Sequence, residues 1–321
     1  MVEAVPPHLT PAVSARTSTG PDLDLPLDQV RTLLAVVDEG TFDAAAAVLH
    51  VTPSAVSQRV KALEHRAGRV LLLRTKPVRP TEAGQVVVRF ARQLASLERD
   101  TRSELGIGAG LGPVRLPIAV NADSLATWFL PALSRVPQDP RVVFELHRED
   151  QSRTAALLRE GHVMAAVTSS PDPVAGCSVR RLGLARYLAV AHPDIVSAYL
   201  DGPLEDMLPG APLVGFDRSD DLQDTYVRSL TGGRSGAGPV RHYVPTPEGY
   251  RDSVAAGLGW GLVPEPHALP LLQAGTVTAL APDRPLDVPL YWQQWKLHSP
   301  ALAAVTRAVE ETAAEALRSA P

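Results

Sequence analysis

The tightest constraint on this chain lies between Leu27 and Arg66, where three short helical patterns follow one another with almost no chain between them. Leu27, Val30, Leu33, Leu34 and Val37 recur at the spacing that lines one face of a helix. Glu39-Gly40 stops that helix, and Thr41 can cap a second one carrying Phe42, Ala45, Ala46 and Leu49. The alanines from Ala44 to Ala47 permit close helix contact. His50-Val51-Thr52 reads as a short turn, after which Thr52 caps a third helix. Pro53 takes its first position, where a missing N–H costs nothing.

In that third helix Val56, Val60 and Leu63 form the buried stripe, and Ser54, Ser57, Gln58 and Lys61 lie away from it. These are side chains that can bond base edges and phosphates in a major groove. From Arg59 to Arg79 there are seven Lys or Arg against one acid, Glu64. That local excess suits phosphate contact. The whole-chain charge of −4 gives no such sign, so the basic surface is local. Leu71 to Arg74 and Lys76 to Pro80 read as a strand, a basic tip and a return, that is, a wing.

Thr81 to Leu105 is one long helical pattern, ended by the Gly-rich run Gly106 to Gly112. Within it Val87, Phe90, Leu94 and Leu97 alternate at three- and four-residue spacing, the seam of a coiled coil. Over so few turns, one amphipathic helix packed on its own domain explains the pattern equally well. From Pro113 onward, short apolar runs alternate with amphipathic stretches. Strands are expected at Val114 to Val120, Val142 to His147 and Val163 to Thr168, with helices at Ser124 to Val136 and Arg153 to Glu160. The alternation continues through Leu213 to Phe216, Val240 to Val244, Gly249 to Ala256 and Gly261 to Val263. It predicts a largely parallel sheet covered on both faces, long enough for two lobes. Ser229 to Gly238 reads as a flexible surface loop.

Catalytic signatures are missing. The sequence holds no Gly-x-Ser-x-Gly, no His-Glu-x-x-His and no P-loop, and Gly257-Leu-Gly-Trp-Gly261 lacks the dinucleotide spacing. Its nine histidines are scattered, so no metal, no cofactor and no enzymatic activity are expected. One cysteine, Cys177, excludes an internal disulfide and fits a reducing cytoplasm. No apolar run approaches the ~18 residues of a membrane span. Met1 to Leu25, rich in Pro, Ser and Thr, reads as a disordered arm. A soluble cytoplasmic protein with no membrane partner is expected.

A binding cleft remains. In open α/β sheets ligands sit beyond the carboxyl ends of strands, beside helix N-termini. Asn121 to Thr127 stands there, where exposed N–H groups and Ser124 suit a carboxylate and Asp123 suits an ammonium. Both also read as plain helix caps. Thr168-Ser169-Ser170, Gly215 to Arg218 and Pro245 to Glu248 leave other strands. Asp123, Glu149, Asp150, Asp217 and Glu248 are acids collected at these ends, although each alone also reads as a surface charge. Buried carboxylates need a cationic partner, so a ligand with one carboxylate and several cationic groups would match.

The run Phe42 to Glu64, with Pro53-Ser-Ala-Val-Ser-Gln58 at its centre, resembles the signature of LysR-type transcriptional regulators, and Arg79-Pro-Thr-Glu-Ala-Gly84 resembles their junction between wing and linker helix. The resemblance implies an α/β protein. It would join an all-α winged helix-turn-helix N-terminal domain and a long linker helix to a two-lobed, periplasmic-binding-protein-like (type 2) effector domain. Residues 1–25 would be the arm, 26–80 the DNA-binding domain, 81–105 the dimerisation helix and 113–318 the effector domain. Lobe I would hold 113–168 and 295–318, and lobe II 169–294, with the chain crossing near Ser169 and Gln294. It assigns double-stranded DNA to Thr52, Ser54, Ser57, Gln58, Arg59, Lys61, Arg74, Lys76 and Arg79. The linker helix would pair chains into a homodimer or homotetramer on an interrupted palindrome, with RNA polymerase as a further partner.

Ala119 to Leu133, Glu149 to Thr154, Gly215-Phe-Asp217 and Leu290-Tyr-Trp292 are similar to the arginine/lysine-responsive subfamily called ArgP, IciA or LysG. That similarity implies an activator of a basic-amino-acid exporter gene whose effector is L-lysine or L-arginine. The effector residues would be Asp123, Ser124, Thr127, Asp150, Thr168, Asp217, Thr246 and Glu248. The α-carboxylate is expected near Ser124 and Thr168, the cationic end near Asp217 or Glu248. The alternative is a nucleoid or replication-origin binder, an inhibitor of chromosome replication initiation that ignores effectors. The long N-terminal arm and the Gly-rich stretch near Gly232 depart from the subfamily pattern.

Overall fold

The computed structural model describes residues 25–107, 113–137, 142–148, 151–297 and 299–319. The expected arm up to position 24, and Glu149 with Asp150, lie outside the described residues. The chain divides into two compact units, with the boundary inside one helix between Val87 and Val88.

The first unit contains α1 (Leu27–Glu39), α2 (Phe42–Val48), α3 (Pro53–Ala67), β1 (Leu72–Leu73), β2 (Arg79–Pro80) and the start of α4 (Glu82–Glu104). Its local causes are those of the sequence. Gly40 ends α1 in the left-handed region, with φ 71°. The Thr41 hydroxyl accepts from the Ala44 N–H, and the Thr52 hydroxyl from the Ala55 N–H at 3.2 Å. Val30, Leu33, Val36, Ala45, Val56, Val60 and Leu63 form the buried centre. The α1 stripe is rotated from the expected one, since Val36 is buried while Leu27 is exposed.

Glu64, the lone acid of the basic stretch, accepts from the Leu71 N–H at 2.9 Å and the Leu72 N–H at 3.3 Å. It thereby fixes the wing to the end of α3. β1 and β2 pair antiparallel, Leu72 opposite Pro80 and Leu73 opposite Arg79. Thr81 then joins wing to helix. Its N–H donates to the Leu71 carbonyl, its hydroxyl donates to the Val70 carbonyl, and the same hydroxyl accepts from the Gly84 N–H. Gly84 has no room for a side chain, because a Cβ there would stand 1.9 Å from the Leu71 carbonyl oxygen.

The second unit continues with β3 (Val114–Val120), α5 (Ala122–Ser124), a π turn (Leu125–Phe129), α6 (Leu130–Ser134), β4 (Val142–Arg148), α7 (Gln151–Glu160) and β5 (Ala165–Thr168). Next come β6 (Cys177–Ala191), α8 (Pro193–Tyr199), α9 (Leu204–Met207), β7 (Leu213–Gly215), α10 (Leu222–Leu230) and β8 (Arg241–Tyr243). The unit closes with α11 (Pro247–Ala255), β9 (Gly261–Pro264), α12 (Glu265–Gln273), β10 (Thr278–Ala279), β11 (Leu286–Trp295) and α13 (Pro300–Ala316).

The main sheet runs β10-β6-β11-β5-β3-β4, with β9 also on β6. It is mixed, not largely parallel as expected. Only β3 pairs in parallel, with β4 and β5, whereas β6, β11, β9 and β10 join antiparallel. The two long strands β6 and β11 escape the sequence pattern because charges interrupt it, and tertiary partners absorb those charges. Arg186 on β6 is bidentate to Asp287 on β11, at 2.9 and 2.8 Å, and Arg180 reaches Glu310 at 2.8 Å.

One core gathers Leu116, Ile118, Phe129, Val167, Cys177, Trp292, Trp295, Val305 and Val309. A second gathers Tyr187, Ala191, Leu208, Leu213, Tyr226, Trp260 and Val288, and a third Val190, Val214, Tyr250, Val254 and Val263. The passage between lobes therefore runs along β6 between Cys177 and Tyr187 and along β11 between Val288 and Trp292. This differs from the expected crossings at Ser169 and Gln294, because single unbroken strands serve both cores. The stretch Ser229 to Gly238, read from sequence as flexible, is tied down. Asp224 accepts from the Ala237 N–H and binds Arg241 at 2.6 and 2.9 Å, and Arg241 also donates to the Gly238 and Ala237 carbonyls.

Gly84→Ala tests the wing junction. A methyl group forced against a backbone carbonyl is expected to destabilise the N-terminal unit by about 2 kcal/mol. Thermal unfolding followed by circular dichroism would show that loss as a lowered midpoint, and an unchanged midpoint would contradict it.

Candidate DNA interface and ligand cleft

On α3 the structure brings Ser54, Gln58 and Lys61 together as exposed side chains, at the four- and three-residue steps that share one helix face. Ser57 beside them is half-buried. Thr52 is exposed, but its hydroxyl is engaged as the cap of α3. Arg59 turns toward α1 instead, with Nε 3.7 Å from Asp28 and Nη1 3.5 Å from the Thr32 hydroxyl. Arg74 lies over the Phe42 ring, 5.5 Å from its centroid. Lys76 and Arg79 are exposed on the wing. The first unit thus presents a polar helix face and a basic hairpin.

The second unit holds a cavity of about 430 Å³. Ligand sites commonly measure roughly 300–1,000 Å³. Its wall is built from chain ends of several strands: Asn121 to Asp123 after β3, Ser169 and Ser170 after β5, and Phe216, Asp217 and Ser219 to Asp221 after β7. Tyr187 of β6, Tyr250 and Arg251 of α11, and Pro264 and His267 complete it.

Its electrostatics are acidic. The Tyr187 hydroxyl donates to Asp123 Oδ2 at 2.7 Å. Burial raises the Asp123 pKa, the Tyr187 bond lowers it, the Asp220 charge raises it and His267 lowers it, with burial dominant. Asp220 is fixed by the backbone, accepting from the Phe216 N–H at 3.0 Å and the Leu222 N–H at 3.2 Å. Asp217 accepts from the Ser219 N–H, the Ser219 hydroxyl and the Asp220 N–H. Among the described residues no Lys or Arg forms an ion pair with Asp123, Asp217 or Asp220; Arg251 pairs with its neighbour Asp252 at 2.8 Å. Tyr250 accepts from Gln223 and the Leu262 N–H, and burial holds its pKa far above the usual phenol range.

Of the effector residues expected from sequence, Asp123 and Asp217 line this cleft. Ser124 and Thr127 do not; they line a smaller cavity of about 190 Å³ on the far side of Asp123. Thr127 donates to the Asp123 carbonyl. Thr168 is buried and bonded to the Ser170 carbonyl and Gln293, leaving its neighbours Ser169 and Ser170 in the wall. Thr246 caps α11 through the Gly249 N–H, and Glu248 is exposed and outside the lining. Asp150 lies outside the described residues. Sequence reasoning missed Tyr187, Asp220, Arg251 and His267. The Asp217 to Asp221 run carried a usable signal, since it follows the end of β7.

Among the described residues no group of three or more His, Cys, Asp or Glu is placed to hold a metal ion, and no helix is long and apolar enough to cross a membrane. A helix-turn-helix with a polar exposed third helix and a basic wing, carried with an acid-lined cleft in a second α/β unit, is the build of a ligand-responsive transcriptional regulator. Residues 27–85 match the bacterial regulatory helix-turn-helix protein, lysR family, and residues 112–314 match the LysR substrate binding domain. The lysine export transcriptional regulatory protein LysG of Corynebacterium glutamicum is 45% identical over 291 residues, spanning 90% of this chain and 98% of that one. The crystal structure of ArgP from Mycobacterium tuberculosis superposes with a TM-score of 0.86 at 45% identity, covering 92% of this chain and 100% of that one. Full-length LysG from C. glutamicum with bound effector Arg gives 0.79 at 44% identity, with coverage of 92% and 100%. The chain belongs to the LysR family of DNA-binding transcriptional regulators, in the group of LysG and ArgP.

Because folding raises the Asp123 pKa, its charged form opposes folding at neutral pH, and that penalty fades as pH falls toward the ordinary value of 3.8. Asp123→Asn, which keeps an acceptor for Tyr187, is expected to melt above the parent at neutral pH without ligand, with the difference vanishing in acid. A lower midpoint at neutral pH would contradict this.

Proposed function

We propose that this regulator senses L-lysine or L-arginine and controls transcription of a basic-amino-acid exporter gene. The observation that carries the reading is the pair Asp123 and Asp220, which face one cleft without a Lys or Arg ion-pair partner among the described residues. Their mutual repulsion is relieved by a cation between them. A basic amino acid supplies that cation, with Asp217 within the same wall for a second one. Its carboxylate finds Arg251, His267 and the hydroxyls of Ser169 and Ser170 in the same wall. Ser124, Thr127, Thr168 and Thr246 support these walls from behind. The bound arginine of C. glutamicum LysG and the lysine-export name of that relative favour the same ligand class.

At the other end, Ser54, Ser57, Gln58 and Lys61 read base edges, while Arg74, Lys76 and Arg79 contact phosphates. Arg59 steadies α3 against α1, and Thr52 sets its start. Pairing of chains through α4 is favoured by Phe90 and Leu97, which stay 39% and 40% exposed, with Val87 and Leu94 on the same seam. A homodimer, or a tetramer built from it, places two recognition helices on an interrupted palindrome. Effector binding shifts the lobe and dimer geometry, hence the spacing of the DNA heads and contact with RNA polymerase. The protein acts where its promoter is, in the cytoplasm.

Calorimetric titration with each of the common amino acids is expected to show binding by lysine, arginine or both. Binding by neutral or acidic ones alone would overturn the ligand. Affinity is expected to fall as pH drops, because the cation needs Asp123 ionised. In gel-shift assays with the gene's own upstream DNA, Gln58→Ala and Lys61→Ala are each expected to weaken binding about tenfold. Shifts that ignore both substitutions, or that do not respond to lysine or arginine, would contradict the reading.

A further inference from the structure

Tyr187 sits where three strands meet. On β6 it is paired with Leu286 of β11 on one side and with Pro264 of β9 on the other. Its ring is buried in the second core, whereas Asp123 opens the helix that follows β3 in the first lobe. The 2.7 Å bond from the Tyr187 hydroxyl to Asp123 Oδ2 therefore spans the two lobes at the wall of the ligand cleft. Both residues border the cleft and also the smaller cavity behind it. That rear cavity carries two guanidinium groups, Arg186 and Arg318.

We propose that Tyr187 is the positioning residue of the effector site, its hydroxyl holding the Asp123 carboxylate at the wall of the large cleft. This rests on the basic-amino-acid reading and adds to it the reason why a free carboxylate stays aimed at the ligand. Arg186 is paired with Asp287, and Arg318 with Glu265, so the two arginines lining the smaller cavity are already engaged. The groups that face Asp123 are Tyr187, Asp220 and His267, with Tyr250 beyond. Of these, the Tyr187 hydroxyl is the one that donates directly to the carboxylate, and it favours the ionised form. Burial and the Asp123 charge keep that phenol protonated as a donor. Because the bond joins the lobes, the pose of the carboxylate and the closure of the cleft are set together.

The test uses the full chain, L-arginine and L-lysine as probes, and calorimetry across a range of pH. Tyr187→Phe, nearly isosteric, is expected to lower affinity for the bound amino acid about tenfold at neutral pH. It should also move the pH at which half the affinity is lost upward, because the ionised carboxylate has lost its donor. Asp123→Glu keeps the charge but displaces it from the hydroxyl, and should lose affinity to a similar degree. Dissociation constants and pH profiles matching the parent in either variant would overturn the positioning role. Asp123→Asn separates the two claims. If it binds as the parent does, the basic-amino-acid reading falls. If it loses binding while Tyr187→Phe keeps it, only the positioning role falls.

Discussion

The architecture of the sensing half depends on one ladder, the antiparallel pairing of β6 with β11 from Cys177 opposite Trp295 to Tyr187 opposite Leu286. Backbone hydrogen bonds along two continuous strands, with one register shift between Leu290 and Tyr291, carry the chain from one core to the other, so the lobes are joined by sheet and not by loose linkers. Gly183 marks the point where this ladder is approached most closely. Its φ of 152° and a separation of 2.8 Å between its absent Cβ and that of Leu317 exclude any side chain. The segment after α13 returns there, with Arg318 and Leu184 exchanging backbone hydrogen bonds and Arg318 binding Glu265 at 2.9 Å. The cleft lies where these strands bring the helix start after β3 opposite the loop after β7.

Burying Asp123 in this wall, with the Asp220 charge nearby and no Lys or Arg ion pair among the described residues, costs stability, and its raised pKa follows from that burial first and from Asp220 second. Other acids of the same domain are treated differently. Asp224 and Asp287 bind Arg241 and Arg186, and both pKa values are lowered chiefly by those bonds. The domain thus pairs Asp224 and Asp287 with arginines, while Asp123, Asp217 and Asp220 of the cleft are held by hydrogen bonds alone. A binding site commonly trades local stability for function in this way.

Much of the DNA-binding half could be read from sequence because its determinants are local. Thr41, Thr52, Pro53 and Gly40 act within one helical turn, and each takes its expected cap or stop position. The sensing half was legible only where hydrophobic runs were clean, as at β3 and β5. β6 and β11 were not, because Arg180, Arg181 and Arg186 break the alternation, and the partners of Arg180 and Arg186, Glu310 and Asp287, come from distant segments. Missing β6 meant missing Tyr187. Ser124 and Thr127 line the smaller cavity and not the large cleft, whereas Asp123 lines both, a division that depends on the π turn at Leu125–Phe129 and that no sequence pattern marks. Asp220 lies only a few residues past Asp217, but its aim depends on a turn closed by the Phe216 and Leu222 N–H groups, which pattern alone does not reveal.

The central claim is that unneutralised carboxylates, and not shape alone, select the ligand. L-Citrulline has nearly the shape of L-arginine but no charge on its side chain. Comparing the two by calorimetry on the same protein isolates charge from size. The account predicts saturable binding of arginine and at least about a hundredfold weaker binding of citrulline. Equal affinities would contradict it.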